Sequence, residues 1–99
     1  MTDAITAEDF STSSGTEGWE VAAGVASRTF RTGSFAVGVE FVDAIGELAD
    51  EADHHPDVDL RYPTVTVRLT SHDVGGLSRR DVELARRISE AAAELDIGS

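Results

Sequence analysis

ADEADHHPDVDLRYPTVTVRLTSHD, residues 49–73, decides how this chain folds. It begins on the tail of a helical pattern, breaks at Pro56, and then changes period. Val58, Leu60 and Tyr62 alternate with Asp59 and Arg61, and after Pro63 the residues Val65, Val67 and Leu69 alternate with Thr64, Thr66 and Arg68. A period of two puts apolar side chains on one face of a strand and polar ones on the other, so the stretch predicts a hairpin with one buried and one solvated face. Pro63 falls near the turn, where a missing N–H does least harm to the ladder.

Upstream, Ser34 is placed to cap a helix running to about residue 53, with Pro56 ending it. Phe35, Val39, Val42, Ile45, Ala49 and Ala52 recur at three- and four-residue steps and predict its buried stripe, while Glu40, Asp43, Glu47, Asp50 and Glu51 take much of the other side. Phe41 and Leu48 lie off that stripe, where they either widen the buried face or meet a partner chain. Thr6-Ala7-Glu8-Asp9 has the form of a capping box opening a short first helix; residues 11–18 read as a loop, and 19–23 and 26–32 as strands joined by a turn near Gly24. Downstream, Asp73-Val74-Gly75-Gly76 is a loop leading to Ser78. A last helix, from 79 to about 95, sets Val82, Ala85, Ile88, Ala92 and Leu95 on one face. The order α-β-β-α-β-β-α predicts an α+β fold, a four-stranded antiparallel sheet with helices packed on one face.

Composition bounds what such a domain does. Ninety-nine residues with 40% hydrophobic content make one domain, 1–99, with one modest core. Without cysteine there is no disulfide, thiolate metal site or cysteine nucleophile. Eight basic residues, all arginine, stand against 19 acidic ones, a net charge of −11 that argues against binding a nucleic-acid backbone and speaks otherwise to solubility. The acidic N-terminus lacks a secretory profile and no apolar run approaches the ~20 residues of a membrane span, so the expected location is cytoplasmic, with no membrane partner.

All three histidines fall between positions 54 and 72. Histidine is the side chain that changes charge near neutral pH, so the cluster suits proton transfer. His54 and His55 end an amphipathic helix, where the macrodipole and nearby carboxylates favour a positive ring, and Asp50, one helical turn earlier, is placed to orient His54. The same pair equally fits an exposed helix terminus capping the last carbonyls. His72 lies by parity on the polar face at the end of a strand, either a surface residue or a functional one. Asp81 fits the capping box Ser78-Arg79-Arg80-Asp81, a structural role that still allows it to support His72. Zinc is disfavoured, because adjacent helical residues diverge by about 100° and no H-x-x-x-H spacing occurs.

Taken together, Asp50, His54-His55-Pro56, Tyr62, His72 and Asp81 resemble the signature of the pterin-4a-carbinolamine dehydratases. Gly18-Trp19, Phe30, Phe35 and Gly76-Leu77-Ser78 agree with that family, and the resemblance covers about residues 6–95. The first helix is shorter than usual, Val58 stands where an aromatic residue is common, and Ser71-His72-Asp73 replaces the usual Thr-His-Glu. The resemblance implies dehydration of a 4a-hydroxytetrahydropterin, without metal or organic cofactor. His54 and His72 would flank the C4a hydroxyl, His55 would bind and help shuttle the proton, and Asp81 would support His72. Asp53, Thr70, Ser71 and Asp73 would line the pterin. It also implies homodimers or homotetramers, and an aromatic amino-acid hydroxylase as the upstream source of substrate. The alternatives are a dehydratase for another pterin and a non-catalytic dimerisation cofactor that packs helices against a protein partner.

Overall fold

The computed structural model describes residues 4–98. Its elements are α1 (Ala7–Ser11), β1 (Glu20–Ala22), β2 (Val25–Arg31), α2 (Phe35–Ala52), β3 (Asp57–Arg61), β4 (Thr64–Leu69) and α3 (Arg79–Glu94), with a 3-10 turn at His72–Val74. The strands form one antiparallel sheet in the order β1-β2-β4-β3, so the hairpin expected from the alternation over residues 58–69 is present and its second strand pairs back onto β2. This is the expected α+β architecture.

Register explains why only one face is covered. Ala26 pairs with Leu69 and Phe30 with Val65, all fully buried, while the intervening Thr29 opposes Thr66 and their hydroxyls lie 2.9 Å apart on the open face. Val58 and Leu60 extend the apolar face through β3. Above it, Trp19, Phe30 and Phe41 stack edge to face, with ring centroids 6.1 and 4.9 Å apart. Leu84, Ala85, Ile88 and Ala92 of α3 close the same core. Edge-to-face pairs contribute roughly 0.5–1.5 kcal/mol beyond the area they bury. Gly38 lets α2 approach the sheet, since a Cβ there would sit 2.8 Å from Leu60 Cδ1.

The buried face of α2 is rotated from the one its apolar spacing suggests. Gly38, Phe41, Ile45 and Ala49 are buried, whereas Phe35 and Val39 remain about half exposed, at 51% and 48%. Both series have helical spacing, and Ile45 and Ala49 belong to each. The Phe41–Phe30 contact and the close approach at Gly38 select between them. Phe41, read as an off-stripe residue, is thus a core residue, and Leu48, partly buried, packs against the same core.

The end of α2 also differs. The helix stops at Ala52 because Asp53 takes a left-handed conformation (φ 50°), with the His54 N–H donating back to the Ala49 carbonyl at 3.1 Å. Pro56 therefore follows a helix that has already ended. At the other capped ends the readings hold: Thr6/Asp9 and Ser78/Asp81 are both reciprocal capping boxes, and Ser34 accepts from the Val37 N–H. Among the described residues no helix is long and apolar enough to cross a membrane.

Candidate active site

Three chain segments converge at one end of the sheet: the turn leaving α2, the segment following β4, and the first turn of α3. The left-handed turn at Asp53 swings the chain off the helix axis, so His54 no longer continues the row of Asp50. Its Nε2 instead lies 2.6 Å from Asp81 Oδ1, with the imidazole 10% exposed and the carboxylate fully buried. The expectation that Asp50 orients His54 is corrected accordingly: Asp50 meets His55, Nε2 to Oδ1 at 3.0 Å, in an exposed pair. The expectation that Asp81 supports His72 is corrected too, because its carboxylate is committed to His54.

Asp81 is held on both oxygens. Its Oδ2 accepts from the Ser71 hydroxyl at 2.8 Å and the Ser78 N–H at 2.9 Å, while Oδ1 takes the His54 ring N–H. Ser71 Oγ also lies 2.7 Å from Ser78 Oγ and 3.5 Å from His54 Nε2. Proton accounting then assigns each donor. Ser71 gives its proton to Asp81, so Ser78 gives its own to Ser71 while accepting the Arg80 N–H at 3.2 Å. A buried carboxylate with three donors is satisfied, which is the condition for keeping a polar group inside. With Nε2 donating to Asp81, Nδ1 is the ring nitrogen of His54 that stands outside this network.

The remaining predicted residues divide. His72 begins the 3-10 turn and is exposed, and Asp73 beside it receives both its hydrogen bonds from Arg80 Nη2, at 2.7 and 2.9 Å. That contact holds the Asp73 carboxyl below its ordinary 3.8, chiefly through the hydrogen bonds from Arg80, with the positive charge of Arg80 adding to them. Thr70 turns its hydroxyl to the Gly24 carbonyl at 2.8 Å. Ser71 is 1% exposed, so its side chain stands behind the histidine, as part of its support. Asp53 is exposed at the helix cap. Tyr62 lies in the β3–β4 turn, across the length of β4 from Thr70, which is roughly 20 Å at the usual strand rise. Ser78 and Arg80 also belong to this arrangement, and the capping box is the sequence signal that marks their segment. Among the described residues no three His, Asp or Glu side chains converge as a metal-ligand set.

The fold and site together define a small α+β protein with a buried aspartate backing a histidine next to a second, exposed one. The profile of the family described as Pterin 4 alpha carbinolamine dehydratase matches residues 3–91. The chain is 48% identical over 66 residues to a Nocardia farcinica protein provisionally named pterin-4-alpha-carbinolamine dehydratase, covering 67% of this chain and 70% of the relative. A Mycolicibacterium smegmatis protein of the same provisional name is 40% identical over 77 residues, covering 78% and 82%. Among solved structures, a transcriptional coactivator/pterin dehydratase from Brucella melitensis superposes with a TM-score of 0.75 at 26% identity, covering 78% of this chain and 84% of that one. A pterin dehydratase-like RuBisCO assembly factor of the alpha-carboxysome shares the fold at a TM-score of 0.63 and 21% identity, covering 75% and 86%. This chain belongs to the pterin-4-alpha-carbinolamine dehydratase family.

Proposed function

We propose that the protein is a hydro-lyase that converts a 4a-hydroxytetrahydropterin, tetrahydrobiopterin-derived in the simplest case, to the quinonoid dihydropterin. The observation that carries this reading is the buried Asp81 held 2.6 Å from His54, which fixes the ring and leaves Nδ1 for proton exchange. In the reaction the N5 lone pair forms a C4a=N5 bond as the C4a–O bond breaks. The hydroxyl leaves as water once protonated, and a ring N–H gives up a proton, so the products are the quinonoid dihydropterin and water. The protein's part is to deliver one proton and accept another, work that typically contributes 10²–10⁴-fold. His54 and His72 share it, and His55, beside His54, binds the pterin and relays protons to solvent. Asp53 and Asp73, with the backbone of residues 70–73, line the ring. An aromatic amino-acid hydroxylase is the proposed source of substrate, and a homodimer or homotetramer the proposed assembly.

The test is dehydration of enzymatically generated 4a-hydroxytetrahydropterin, with EDTA present and the uncatalysed background subtracted. Wild type is expected to accelerate loss of the carbinolamine, and a folded His54→Ala/His72→Ala double variant to lose roughly 10²–10⁴ of that acceleration. Full turnover in the double variant would sink the assignment. The exposed Phe35 and Val39 on α2 favour a second reading, a module that docks another protein through that helix. Absence of any acceleration by wild type would shift weight to it.

A further inference from the structure

The first turn of α3 reaches both sides of the candidate site through adjacent residues. Asp81 extends to His54, and its neighbour Arg80 extends the other way to Asp73, the residue next to His72. We propose that Arg80 is a positioning residue: through Asp73 it fixes the turn carrying His72 relative to His54. This rests on the reading of His72 as a proton-transfer group.

The loop is built to be steered by such a tether. The Ser71 N–H donates to the Gly76 carbonyl at 2.7 Å and the Gly76 N–H returns the bond at 3.2 Å. Within that closed loop Val74 N–H reaches the Ser71 carbonyl and Gly75 N–H the His72 carbonyl, both at 3.1 Å. These bonds fix the internal shape of residues 71–76, so the loop moves as a unit. The Ser71 hydroxyl ties the base of the loop to Ser78 and Asp81. Arg80 adds the link at Asp73, beside His72, and its own backbone is anchored, since its N–H donates to Ser78 Oγ inside the Asp81 network. His54 and His72 are thereby referenced to one rigid helical turn. Proton donors and acceptors must sit within hydrogen-bond reach of the same substrate, and a misplacement of about 1 Å costs on the order of 10²-fold.

The pair is partly exposed, with Arg80 at 37% and Asp73 at 64% of side-chain area, so it adds little to global stability and its variants should fold. Three substitutions test the idea: Arg80→Met, Arg80→Lys and, as reference, His72→Ala. Arg80→Met is expected to keep the wild-type melting temperature and lower kcat by roughly 10- to 100-fold, with a smaller rise in KM because the released Asp73 also lines the pterin. Arg80→Lys restores part of kcat, because an ammonium reaches a carboxylate but lacks the planar guanidinium. Imidazole NMR supplies a readout independent of turnover. The His72 ring signals should move and the 71–76 amides exchange faster in Arg80→Met, with the His54 ring signals unmoved. Wild-type kcat and unchanged His72 signals in Arg80→Met, alongside an impaired His72→Ala, would overturn the proposal while leaving the proton-transfer reading intact. A fall in kcat without movement of the His72 signals would also overturn it. Full turnover in His72→Ala would instead remove the reading beneath it, and Arg80 would then have no catalytic group to position.

Discussion

His54 and His55 are consecutive, and each pairs with an aspartate, yet the two pairs have different physics. His54 meets Asp81 at 2.6 Å with side chains 10% and 0% exposed, whereas His55 meets Asp50 at 3.0 Å with side chains 60% and 82% exposed. The inner pair is screened little by water or salt and its carboxylate has two further donors. The outer pair lies in high dielectric, where an ion pair contributes about 0–1 kcal/mol. Residue type therefore says little about the strength of a histidine–aspartate contact; its place relative to the core says most.

Substituting each aspartate is the widest way to break the comparison. Asp81→Ala strips the acceptor from His54, Ser71 and Ser78 together, and is expected to cost about 3–5 kcal/mol of stability. Asp50→Ala should stay within about 0.5 kcal/mol, as surface changes do. Chemical denaturation of the two variants measures the gap, and equal losses would mean that the inner network is not a unit. A narrower probe is Ser71→Ala, which leaves Asp81 one donor short and the Ser78 hydroxyl without its acceptor. It should cost about 1–3 kcal/mol on the same measurement, placing it between the two aspartate variants. A loss as small as that of Asp50→Ala would show that the Ser78 N–H alone suffices to keep Oδ2 buried.

The smallest effect concerns acid. Asp9 and Asp73 are both held below the ordinary 3.8, Asp9 first by the Thr6 N–H and Asp73 first by Arg80. Near pH 3.8 the unfolded chain then binds more protons than the folded one, so stability rises with pH there. Their contributions are complete above 3.8 and disappear as pH falls through the lowered folded values. Melting curves from neutral pH downward should show this slope, shallower in Asp73→Asn; a wild-type slope in that variant would remove Asp73 from the account.

Much of the frame was legible because the relevant forces are local. Alternation over Val65, Val67 and Leu69 marked a strand with one buried face, and the Ser78–Asp81 capping box marked the start of α3. The rotation of α2 was less legible: two apolar series share Ile45 and Ala49, and only contact with Phe30 and Leu60 chooses Phe41 over Phe35. Likewise the cluster of histidines was visible, but not which aspartate each would meet. A left-handed Asp53 cancels the helical spacing that connected Asp50 with His54.

The sequence by itself determined what neighbouring residues can settle: strand and helix periods, the caps, the absence of thiol chemistry, and the signature that connects the chain to its family. Tertiary structure alone decided that Asp81 serves His54, since the two are 27 positions apart and meet only because the first turn of α3 lies beside the turn leaving α2. It also turned Ser71 inward and brought Arg80 to Asp73. The physical reason is burial. Hydrogen bonding within a turn follows from nearby residues, whereas the exclusion of water that makes the inner pair strong requires every layer of the fold to be in place.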